Sequence, residues 1–163
     1  MALQYGSTTA LTCTSFNSLT ASTTTGVAAS GPATTSTTNN IVDAMVTVTI
    51  TVGAHTPSAS TNILIWAYGS EDGTTYSGAQ SGSIESFGTD SAETIDVDGN
   101  NMVFIGSIHC HTASIQYTSK PMSIASAFGG IMPRKWGVVI QNQTGTTLAA
   151  SGHSVDYTEI YYN

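Results

Sequence analysis

From Ile41 to Val52 the chain reads IVDAMVTVTITV, with Val42, Ala44, Val46, Val48, Ile50 and Val52 on one parity and Asp43, Met45, Thr47, Thr49 and Thr51 on the other. This strict period of two predicts a β-strand with one buried face. The stretch TNILIWAYG, starting at Thr61, is apolar through its centre and predicts a buried strand. SEDGTTY then turns at Asp72-Gly73, an Asp-Gly dipeptide that accepts the positive φ of a tight turn. Weaker strands are expected at Ser83–Phe87 and Glu93–Val97, with a second turn at Asp98-Gly99. NMVFIGSIHCHTASIQYTS predicts one long strand or two short ones broken near Thr112. PMSIASAFGG and KWGVVIQNQTG continue the pattern, and a short helix fits near Ser123–Phe128. At the C-terminus, Val155, Tyr157, Glu159 and Tyr161 alternate against Asp156, Thr158, Ile160 and Tyr162. Many short strands separated by turn signals, with no long amphipathic helix, predict an all-β protein. The expected architecture is an antiparallel β-sandwich, most closely a jelly roll.

Residues 1–39 look different. The run TASTTTGVAASGPATTSTTNN has almost no charge and few large apolar groups, so alone it buries too little surface to fold. It reads as a disordered linker or, by preference, an extended Ser/Thr-rich N-terminal arm over 1–39, with short β-type pieces near Ala10–Phe16 that can pair with the body. Residues 40–163 are read as one sandwich domain. The full chain of 163 residues fits a single domain of ordinary size.

Composition narrows the partners. Charged residues are 8 % of the chain, against roughly 25 % in soluble domains. Net charge is −7 and the basic residues are Lys120, Arg134 and Lys135 alone. Duplex binding at physiological salt needs several Lys or Arg contacts to phosphates, so neither nucleic acid nor an anionic membrane surface is expected as a partner. No apolar run approaches the ~20 residues that span a bilayer. No basic segment precedes an apolar run at the N-terminus, so no secretory signal is expected.

Candidate chemistry is sparse. In SIHCHTAS, His109 and His111 share one face of a strand and Cys110 faces the other way. The pair could hold a metal that the cysteine could not join, and zinc asks for three or four ligands. His55, His153, Asp156 and Glu159 are candidates without a spacing that selects them. The plainer reading is two exposed or interface imidazoles with Cys110 packed inside, and no cofactor. A trimer axis gathering one histidine from each copy would create a site that one chain lacks. Cys13 and Cys110 are read as free thiols. DVDGN departs from a calcium loop, because Gly99 falls at position four from Asp96. No nucleophile-elbow pattern or phosphate cradle is present, and Ser151 and Ser154 beside His153 are what a serine-rich chain gives by chance. The expectation is a non-enzyme. Trp66, Tyr68 and Tyr76 are either core residues or a sugar-stacking platform. Arg134, Lys135 and Trp136 are the candidate partner-binding residues, with Arg134 and Lys135 read either as anchors for an acidic patch on a partner or as a solvated loop tip. Asn142-Gln-Thr144 matches a glycosylation sequon.

The segments ILIWAYGSEDGTTYSG, SIASAFGGIMPRKWGVVIQNQTGTTL and YTEIYYN resemble small structural proteins of tailed bacteriophages. They are most similar to capsid decoration, or cement, proteins with a β-sandwich body. The likeness spans about residues 40–163 and rests on texture and short segments. It implies a trimer on the outside of the expanded capsid, assembled in the host cytoplasm, contacting the major capsid protein and resisting internal DNA pressure. An N-terminal arm reaching over the lattice is part of the same implication. The alternatives are another virion part, from the tail, head–tail junction or baseplate, and a carbohydrate-binding sandwich module.

Overall fold

The alternating segment forms the longest strand, β4 (Asn40–Thr51), and Ala44, Val46, Val48 and Ile50 on its inner face are fully buried. The computed structural model describes residues 2–29, 33–37, 40–58, 61–74, 95–96 and 102–163. The other strands are β1 (Leu3–Leu11), β2 (Thr25–Ala28), β3 (Ala33–Thr34), β5 (Asn62–Ser70), β6 (Ile95–Asp96), β7 (Val103–His109), β8 (Gln116–Thr118), β9 (Met122–Ser123), β10 (Lys135–Gln143) and β11 (Ser154–Tyr162). A short helix, α1 (Ile124–Ala127), is capped by Ser123, whose Oγ accepts from Ser126 N. The predicted strand at 83–87 and the Asp98-Gly99 turn lie outside the described residues.

Two antiparallel sheets pack face to face, as expected of an all-β sandwich. The first has the order β1-β11-β4-β8, with β9 also on β4. The second has the order β6-β2-β10-β5-β7, with β3 also on β10. Successive strands change sheet repeatedly, so neither sheet can complete itself without the other. Between the sheets, the inner face of β4 meets Ile63, Ile65 and Ala67 of β5, Trp136, Val138 and Ile140 of β10, Val155 of β11 and Phe16. Alternation on each strand puts these side chains inward.

Residues 1–39 do not form a separate arm where they are described. β1 pairs with β11 from Leu3↔Tyr162 to Leu11↔Val155. β2 and β3 pair with β10. Phe16, Val27, Ala28, Ala29 and Ala33 are buried. A segment too polar to fold alone is here supplied with an apolar partner surface by strands more than 100 residues away in sequence.

The segment after β7 is where the chain changes sheets. β7 belongs to the second sheet and β8 to the first. The crossing is held by Cys110 N donating to Thr61 O (2.6 Å), Ser114 N to Gly53 O (2.9 Å) and Val52 N to Ile115 O (3.0 Å). Gly137 permits one close approach. A Cβ there would meet the ring and hydroxyl of Tyr68, its register partner on β5, with Cε1 at 2.6 Å.

Candidate functional site

Three surface regions bear on function. The first lies where β7 ends. His109 and His111 are exposed, and Cys110 between them is fully buried. The parity read from the sequence therefore persists past the end of the strand. The two imidazole rings stand on one side with centroids 5.7 Å apart and planes 26° apart. His109 Nδ1 lies 3.1 Å from Thr61 Oγ1 and 3.4 Å from Asn62 Oδ1. The His111 ring meets Tyr117 edge to face at 5.6 Å. The Tyr117 hydroxyl accepts from the backbone N–H groups of His111 (3.3 Å) and Thr112 (2.9 Å). The other metal candidates do not converge on this pair, and no group of three or more His, Cys, Asp or Glu forms a metal cluster among the described residues. His153 is committed to the backbone, accepting from Thr51 N at Nδ1 and donating from Nε2 to Ala149 O. Ser154 Oγ donates to Asp156 Oδ2. These contacts leave His153 without a free nitrogen with which to activate a serine.

The second region is the basic cluster. Arg134 is exposed and Lys135 half-buried at the start of β10. Trp136 is 1 % exposed and belongs to the core, edge to face with Tyr157 at 5.0 Å. As a surface anchor it is corrected to a core residue. Its parity on β10 is that of Val138 and Ile140.

The third region escaped the sequence reading. β1 is exposed along most of both faces. Leu3 is opposite Tyr162 on β11 and Tyr5 lies two residues on, so all three share a face. Tyr5 is 68 % exposed, and Leu3 and Tyr162 are also exposed. The signal that could have found it is the parity of LQY against the C-terminal EIYY, but that pairing joins the two ends of the chain.

The aromatic platform is not assembled from Trp66 and Tyr68. Tyr68 is fully buried, while Trp66 is half-buried and edge to face with Phe104 at 5.4 Å; Tyr76 lies outside the described residues. Asn142 of the sequon is also buried. Its Nδ2 donates to Leu19 O and Thr146 O, and its Oδ1 accepts from Thr144 N and Oγ1. That amide is a structural knot without access to a modifying enzyme.

Cys13 and Cys110 are not joined in a disulfide. Burial pushes the Cys110 thiol up from 9.0 to about 11, and thiolate is the reactive form. In the folded protein at pH 8, a thiol reagent is expected to modify the half-buried Cys13 and spare Cys110, with both reacting after denaturation. A mass spectrum counting two adducts under native conditions would contradict the burial. The same shift predicts a stability change at alkaline pH. Below pH 9 both states keep the proton and the contribution is whole. As pH rises from 9 to about 11 the unfolded chain loses the proton that the folded chain retains, and stability declines.

Among the described residues no helix is long and apolar enough to cross a membrane. Comparison of the chain with protein-family models, with curated proteins and with solved structures finds no match.

Proposed function

We propose that this chain is a non-enzymatic structural protein of a tailed phage. In this reading its jelly-roll body binds the outer capsid surface as a trimer and stabilises the head. The identity of the partner rests on the sequence resemblance. The observation that supports a docking role is β1, an uncharged strand at the edge of its sheet among the described residues and exposed along most of both faces, with Leu3, Tyr5 and Tyr162 exposed together. Apolar side chains grouped on a surface mark contact sites, and an unpaired strand edge offers backbone donors and acceptors to a partner strand. Contact through β1 takes the place of the arm expected from sequence. Exposed Arg134 and half-buried Lys135 supply a positive spot on a chain of net charge −7, suited to an acidic patch on the shell.

Immunogold labelling of intact particles with antibody to this protein tests the reading. Label spread over the head is the expected result. Label confined to the tail would replace it with the tail or baseplate alternative, and particles without label would overturn the virion premise.

A further inference from the structure

The histidine pair has a chemical capacity that a capsid-binding role does not require. We propose that His109 and His111 form a two-imidazole chelate for a borderline divalent transition ion, Cu2+ or Zn2+ in class, on the edge of the second sheet. The argument is independent of the capsid reading.

Residues two apart on a strand are about 6.6 Å apart along the chain, and here the ring centroids have closed to 5.7 Å on one side. Two nitrogens bound to one tetrahedral ion at about 2.0–2.1 Å lie about 3.4 Å apart. Small χ1 adjustments within the staggered wells, together with the soft terminal torsions, close that difference.

The surroundings preorganise both ligands. Asn62 Oδ1 only accepts and the nearer Thr61 Oγ1 can accept as well, so a proton on Nδ1 serves both contacts of His109. The Nε2 lone pair is then left for a metal. A ligating histidine commonly donates its second nitrogen in this way, which fixes its tautomer and ring orientation. His111 is held from below: the Tyr117 hydroxyl ties down its backbone, the Tyr117 ring lies against it, and the imidazole makes no hydrogen bond among the described residues. Among the described residues β7 is the last strand of its sheet, so water can fill the remaining coordination positions. Cys110 points into the core and takes no part.

The ligand chemistry sets the selectivity. Imidazole suits copper, zinc and nickel, while magnesium and calcium require oxygen ligands. Copper is expected to bind most tightly, following the order of divalent affinities.

The test uses the full chain, freed of metal, in a non-chelating buffer. Titration calorimetry with CuCl2 and with ZnCl2 is expected to show one ion per chain. His109→Asn or His111→Asn should weaken binding by about tenfold or more, while His55→Asn leaves it unchanged. A double variant that binds copper as the natural chain does would overturn the proposal. A second measurement needs no substitution. Substoichiometric Cu2+ should broaden the imidazole NMR signals of His109 and His111 before those of His55 and His153; broadening that begins at either of the latter would overturn it equally.

Discussion

Deletion of residues 2–38 is expected to leave a chain that does not fold. The deletion removes Phe16, Val27, Ala28, Ala29 and Ala33 from the buried interior. Loss of a buried Phe side chain alone costs about 3–5 kcal/mol, and the net stability of a whole domain is only about 5–15 kcal/mol. Backbone partners are lost as well. β10 would be stripped of β2 at Val139 and Ile140 and of β3 at Lys135 and Trp136. β11 would lose β1 along nearly its whole length. Asn142 Nδ2 would still have Thr146 O, but not Leu19 O. A shorter deletion, residues 2–11, serves as the contrast. It removes a strand that is exposed on most of both faces, so the remaining body should fold with reduced stability while losing the surface assigned to docking. Circular dichroism with a thermal melt distinguishes the two. A cooperative transition for the 2–38 deletion close to that of the full chain would restore the separate arm and refute the integrated N-terminus.

That contrast also shows which parts of the fold were legible in the sequence. β4, β5, β10 and β11 could be read because each carries its own evidence: strict alternation, or an apolar run bounded by turn residues. The Asp72-Gly73 turn was readable from its dipeptide, and it is present with Gly73 at φ +81° and Asp72 Oδ1 accepting from Ser70 Oγ and Thr74 N. The N-terminal strands were not readable, because their evidence lies elsewhere in the chain. Leu3 pairs with Tyr162 and Val27 with Ile140, and a local window over Ser, Thr and Ala shows low hydrophobicity whatever surface will later cover it. The break near Thr112 was visible, but that it transfers the chain from one sheet to the other was not. A break in alternation looks the same whether the strand bends or leaves its sheet.

The candidate site divides along the same line. Opposite facing of Cys110 and its two histidine neighbours follows from period two and could be read directly. Tyr117 as the support of His111 could not, because it acts through a turn whose shape the sequence does not display. Trp136 was misplaced for a different reason. Its neighbours Arg134 and Lys135 drew it into a charged cluster, although the parity of KWGVVIQ already aligned it with Val138 and Ile140.

Trp136→Ala is therefore expected to act on stability. Truncating a buried Trp costs about 3–5 kcal/mol, and this site belongs at the upper end. The register partners of Trp136 are Ala33 on β3 and Gly69 on β5, both too small to collapse into the space that the indole leaves. On the inner face, Tyr157 would lose its edge-to-face partner at 5.0 Å, a contact worth about 0.5–1.5 kcal/mol beyond area burial. For a chain of this size each kcal/mol moves the melting temperature by about 2–4 °C, so a fall of roughly 6–20 °C is expected. Arg134→Ala and Lys135→Ala should each stay within about 0.5 kcal/mol, as surface substitutions do. The three variants together separate core from contact. If Trp136→Ala melted within a few degrees of the natural chain and instead weakened binding to particles, the indole would belong to the partner surface and the packing described for β10 would be refuted.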